Sequence, residues 1–148
     1  MLISPHFLVG TAIANHIPEF WPAALAAVTS HFVLDAIPHR DTIGKFSPSR
    51  ANLTILVADL TITGIILWWL TGGQNWVYLL IIGFIATLPD APSVIALFWP
   101  KFLALPVVHA IHYWHTKTIH YKDNQVTWFW GILSQLVVII LAIILFQL

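Results

Sequence analysis

Apolar residues run almost unbroken through residues 7–17, 21–37, 51–70, 76–98 and 126–148. Each run is long and uniform enough to read as a helix rather than a strand. Pro5 suits the first turn of the first helix. Pro18 and Glu19 end that helix, Pro22 opens the second, and Pro38 stops it. The first run is too short to span a bilayer alone. At about 1.5 Å per residue, the second just crosses a ~30 Å hydrocarbon core. The two predict a helical hairpin whose first arm is half-inserted. The third run spans and carries a single charge, Asp59. Thr71-Gly72-Gly73-Gln74-Asn75 is a turn. The fourth run is broken near its end by Leu88-Pro89-Asp90-Ala91-Pro92, and the fifth is the most uniformly apolar.

Between these runs, residues 39–50 form a polar loop with Arg40, Asp41, Lys45 and Arg50. Residues 99–124 are mixed, with a short helix expected over 107–118. The pattern therefore predicts one all-α domain, residues 1–148. It is an integral membrane helical bundle of about four to five membrane helices, short N-terminal helix included, plus a short cytoplasmic helix. The N-terminal stretch has no Lys or Arg before its apolar run and no clear cleavage site. It reads as part of the mature chain, not as a signal peptide.

Composition supports the bilayer as solvent. Apolar residues make up 59% and charged residues 8%, against about a quarter charged in a soluble domain. So few charges could not cover a water-facing surface. The eight tryptophans suit the interfacial belt. The net charge of zero gives no basis for nucleic-acid binding. With no cysteine, disulfides and thiolate metal sites are excluded.

All six Lys and Arg lie in two segments, 39–50 and 101–122. The positive-inside rule puts both in the cytoplasm of a multi-pass cell-membrane protein. On that topology most other ionisable groups gather in the cytoplasmic half. They are His6, His31, Asp35, Asp59, Asp90, His109 and His112, with only His16 and Glu19 on the far side. His39, His115 and His120 are expected to be exposed, and His16 structural.

Intramembrane carboxylates are costly unless paired and point to function by default. A bound cation is one partner for them. Histidine nitrogen with aspartate oxygen suits zinc, and also manganese or iron. His31 and Asp35 are four apart on one helix, so they share a face, as do His109 and His112, three apart. Candidate metal ligands are therefore His6, His31, Asp35, Asp90, His109 and His112. Asp59 is the candidate catalytic residue, orienting a ligand or acting as general base. Asp90 could instead cap the helix after Pro89.

Three motifs carry a resemblance. His6-Phe-Leu-Val-Gly10, Leu88-Pro89-Asp90 and His31-x3-Asp35 resemble the HxxxG, PDxD and HxxxD elements of the membrane-bound metal-dependent hydrolase family. In pattern that family is related to zinc-dependent phospholipase C. The resemblance covers the first 40 residues and residues 88–115. Pro92 stands where the PDxD element has its second acid, and His31-x3-Asp35 precedes the Pro-Asp element instead of following it. The resemblance implies an all-helical fold and metal-dependent hydrolysis.

Three functions fit these residues. One is an enzyme hydrolysing a phosphoester of a lipid or lipid-linked substrate at the cytoplasmic face. Arg40 and Lys45 would then be available to meet the phosphate. Another is a metal-ion or proton transporter or channel, with Asp59 and Asp90 on the path. The third is a structural membrane protein in which His and Asp cement helix contacts.

Overall fold

A computed structural model of the chain describes residues 1–40, 50–73, 75–119 and 126–148. The described residues are helical or connecting, with no strand among them. The helices are α1 (Ile3–His16), α2 (Phe20–Asp35), α3 (Arg50–Thr71), α4 (Trp76–Thr87), α5 (Ala91–Phe98), α6 (Pro106–Trp114) and α7 (Trp128–Gln147). Short 3-10 turns, Leu88–Asp90 and Pro100–Ala104, flank α5, and a π-turn, His115–Ile119, follows α6.

Three helices are long and apolar enough to cross a membrane: Arg50–Thr71, the α4–α5 unit Trp76–Phe98, and Trp128–Gln147. They keep large apolar side chains exposed, Val57 and Ile65 on α3 and Ile140 and Leu141 on α7 among them. All eight tryptophans are exposed as well. α2 ends at Asp35, two residues before Ile37, the predicted last residue. Ile37 N–H bonds back to the Leu34 carbonyl, tightening the last turn, because the residue before Pro38 is pushed out of helical conformation. The turn between α3 and α4 has Gly72, Gly73 and Asn75 at positive φ, which is why glycine and asparagine stand there.

The short helix α1 occupies the centre and packs against α2, α3, α4 and α7. Phe7 and Ala14 of α1 cluster with Leu79 and Ile82 and with three alanines, Ala23, Ala27 and Ala86. Small residues let helix backbones approach closely where lipid offers no hydrophobic drive for association. Gly10 marks the tightest crossing. A Cβ there would lie 2.7 Å from Ala86 Cβ and 3.0 Å from the Ile82 carbonyl. On α4, a Cβ at Gly83 would meet the Phe7 ring at 2.8 Å. The two glycines let α1 seat against α4, which brings His6, one turn before Gly10, to the level of the α4–α5 break.

Candidate metal centre

The centre begins with how α1 is held. A buried helix start needs acceptors for its first amides. Asp59, buried within α3, supplies them: its Oδ2 accepts from Ile3 N–H at 2.7 Å and from Ser4 N–H at 3.1 Å. Gln135 of α7 accepts from Leu2 N–H at 2.8 Å through Oε1, and its Nε2 donates to the Arg40 carbonyl at 2.9 Å. The Asp59 carboxylate thus faces the positive end of the α1 dipole. One turn into α1, His6 is fully buried.

α2 contributes His31 and Asp35 from one face. His31 Nε2 lies 2.9 Å from Asp35 Oδ2, and both side chains are fully buried. On its other edge, His31 Nδ1 is 2.7 Å from the Ala86 carbonyl. A carbonyl can only accept, so Nδ1 carries a proton and Nε2 is the ring edge turned to Asp35. Ala86 sits in the last turn of α4, where Pro89 has no N–H to offer. The Leu88-Pro89-Asp90 break thus leaves a carbonyl able to orient His31, and it also turns Asp90 inward.

Asp90 holds the N-cap position of α5, yet its side chain makes no capping bond. Instead Oδ1 lies 3.3 Å from His115 Nε2 and 3.8 Å from His31 Nε2. His115 Nε2 is also 3.3 Å from Asp35 Oδ2. His39, just past Pro38, turns back so that Nε2 is 4.0 Å from Asp35 Oδ1, while its Nδ1–H donates to the Ile37 carbonyl at 2.8 Å. His6 Nε2 is 3.0 Å from Asp35 Oδ1, and the amino group of Met1 is 2.8 Å from the same oxygen. The His6 and His31 rings stack at 4.0 Å, with Phe32 edge-on to His31 and His115. Asp90 is the open side of the cluster: its side chain is 19% exposed, against 0–3% for the others.

His6, His31, Asp35 and Asp90 each present one ligand atom, and these four atoms lie within 4.8 Å of one another. This buried group could hold a metal ion. Two features favour that over hydrogen bonding alone. Nε2 of His6 and of His31 face Asp35 oxygens at 3.0 and 2.9 Å in geometry off the line of a regular hydrogen bond. Close atoms without bonding alignment are what a shared central point produces. Ligand atoms about 2.1 Å from one zinc ion lie ~3.0 Å apart in an octahedron and ~3.4 Å apart in a tetrahedron, and several edges of the cluster fall in or near that range. The second feature is the Nδ1–H to carbonyl bond of His31, the outer partner a metal-bound histidine ordinarily has.

The remaining candidates lie elsewhere. Asp59 is at the start of α1, outside the four-residue group. His109 is exposed on α6 and stacks on Tyr113. His112 is half-buried, with Nδ1 3.3 Å from Ser93 Oγ. His16 Nε2 meets the Leu145 carbonyl at 2.7 Å, a structural contact. Arg40 is half-buried: its guanidinium donates to the Val126 carbonyl at 2.8 Å and lies 4.7 Å over the Trp128 ring. Lys45 and His120 fall outside the described residues. The expectation that His39 and His115 are exposed is corrected: both are buried, at 0% and 2% exposure. Pro38 folds His39 back under α2, and the π-turn after α6 widens the helix so that His115 points inward. One signal was present in the sequence: His39 repeats the four-residue spacing of His31 and Asp35.

Compared with protein-family models, curated proteins and solved structures, the chain finds no match.

Proposed function

We propose that the chain is a membrane-embedded, metal-dependent hydrolase acting on a phosphoester of a lipid or lipid-linked substrate. One observation carries this reading. Side chains from α1, α2 and the α4–α5 break, far apart in sequence, meet in a buried group of two imidazoles and two carboxylates. That donor set suits zinc, with manganese or iron as alternatives. A bound divalent metal lowers the pKa of a water and polarises a phosphoryl oxygen.

The residues of the chain divide the remaining work. His6, His31, Asp35 and Asp90 hold the metal. Asp59 is a positioning residue: by fixing the first amides of α1 it sets the depth of His6. Phe32 and the apolar helix faces exclude water from the inner side. Asp90, the most open member, marks where substrate enters. Segments 39–50 and 101–122 hold all six Lys and Arg. The positive-inside rule puts this opening at the cytoplasmic face, beside phospholipid headgroups. α1 and α2 then complete the bundle as a half-inserted arm and a short spanning helix. The pattern of His6-x3-Gly10, His31-x3-Asp35 and Pro89-Asp90 agrees with the resemblance to membrane-bound metal-dependent hydrolases.

The test is phosphate or phosphoalcohol release from vesicles of phosphatidylcholine with phosphatidic acid. The purified protein should release it in a chelator-sensitive manner, and Asp35→Asn should abolish release. Metal-replete protein inactive on both phosphomonoester and phosphodiester lipids would overturn the hydrolase reading. A structural role has one observation in its favour: the Met1 ammonium, 2.8 Å from Asp35, offers a counter-charge without a metal. On that reading chelator leaves stability unchanged.

A further inference from the structure

Asp35 presents its two carboxylate oxygens to two different sets of nitrogens. Oδ1 faces His6 Nε2 at 3.0 Å and His39 Nε2 at 4.0 Å, with the Met1 amino group at 2.8 Å. Oδ2 faces His31 Nε2 at 2.9 Å and His115 Nε2 at 3.3 Å. Asp90 Oδ1 closes the second set, 3.3 Å from His115 Nε2 and 3.8 Å from His31 Nε2. A carboxylate serving one cation through one oxygen would gather the imidazoles around that oxygen. Here they are shared out, two to each.

From this division we infer that the centre holds two divalent cations bridged by Asp35. His6 and His39 complete the Oδ1 position, and His31, His115 and Asp90 complete the Oδ2 position. This rests on the metal-binding reading above, moves His6 from the single four-residue group to the Oδ1 ion, and adds two ligands, His39 and His115, and a second ion.

Four imidazoles and two carboxylates exceed the four ligands of a closed zinc site. A carboxylate bridging through both oxygens suits the ~3.5–4 Å separation of two-metal sites. Each position also has one histidine whose Nδ1–H is fixed by a backbone carbonyl: Ile37 for His39 and Ala86 for His31. That bond orients the ring and turns Nε2 toward Asp35. The two positions differ. On the Oδ2 side four residues form a closed ring of contacts, His31 to Asp35 at 2.9 Å, Asp35 to His115 at 3.3 Å, His115 to Asp90 at 3.3 Å and Asp90 back to His31 at 3.8 Å. The Oδ1 side has the longer His39 contact and one carboxylate oxygen, so it binds more weakly and fills second. Two dications against two carboxylates leave the centre net positive, which suits a phosphate group arriving past Asp90.

Manganese is the probe that tests this. The purified full-length protein is stripped with chelator, reloaded with Mn²⁺ in detergent, and measured by elemental analysis and electron paramagnetic resonance. The expected result is two equivalents bound in two affinity steps, with an exchange-coupled spectrum. His39→Ala should bind one equivalent and show the hyperfine sextet of isolated Mn²⁺, and His115→Ala should lower affinity at the tighter step. One equivalent with a sextet in the unaltered protein overturns the pair but leaves a single-metal centre standing, with the Met1 ammonium holding the Oδ1 side. No bound metal overturns both readings. The count and spectrum of the unaltered protein decide the matter by themselves if either variant fails to fold, as judged by gel filtration and circular dichroism.

Discussion

His31 and Asp35, one turn apart on α2, stand 2.9 Å from nitrogen to oxygen, in geometry off the line of a regular hydrogen bond. The Ala86 carbonyl holds the proton on the opposite ring nitrogen. Nε2 is thereby the edge that faces the carboxylate, the position a shared metal would take. Removing the imidazole should therefore remove bound metal. His31→Ala is expected to weaken metal binding by more than the ~10–100-fold that loss of an outer partner costs. Adding chelator should lower the thermal unfolding temperature of the unaltered protein by more than that of His31→Ala. Equal chelator responses in the two proteins would count against the assignment.

Asp59 separates positioning from proton transfer. Its carboxylate accepts from Ile3 and Ser4 N–H, so Asp59→Ala leaves two amides at a buried helix start without their acceptor. The expected loss is about 1–3 kcal/mol, measured by thermal or denaturant unfolding in detergent. Asp59→Asn keeps an acceptor oxygen and should retain most of that stability, bound metal and hydrolysis. A general base would behave differently: Asp59→Asn would then keep fold and metal and lose turnover.

Gly10 tests whether the α1–α4 crossing sets the site. A Cβ on Gly10 would fall 2.7 Å from Ala86 Cβ, and overpacking of this kind costs about 1–3 kcal/mol. Ala86 is also the residue whose carbonyl orients His31, so Gly10→Ala should lower metal occupancy together with stability. Adding Ala86→Gly removes the opposing methyl and should recover part of both. A double variant no better than Gly10→Ala in unfolding and metal content would refute the link.

His109 serves as the control on α6. It is exposed and stacks on Tyr113, whereas His115, six residues on, is buried against Asp35 and Asp90. His109→Ala should leave the metal content and unfolding temperature of the purified protein unchanged. Loss of metal in that variant would place α6 differently against the centre.

How much of this was legible in the chain depends on what each contact is made of. The apolar runs gave the helices, and Leu88-Pro89-Asp90 marked the break that opens α4 into α5. His31 and Asp35 were readable because both ride on one helix, where spacing fixes the face. Asp90 and His6 were readable as candidates, but their meeting depends on Gly10 and Gly83 letting α1 approach α4, a tertiary fact. The partner of Asp59 was not readable, since backbone amides carry no residue letter. His39 and His115 were hidden for another reason. Each lies just beyond a helix, and only the fold-back at Pro38 and the π-turn at His115–Ile119 bring them inward.

The most direct measurement is elemental analysis of the purified, unaltered protein beside Asp35→Asn, both confirmed folded in detergent. Asp35 is the residue the whole cluster shares, touching His6, His31, His39 and His115. The account predicts a divalent transition metal at stoichiometric level or above in the unaltered protein, and its loss in Asp35→Asn. Unaltered protein that carries no such metal after metal-supplemented purification would contradict it.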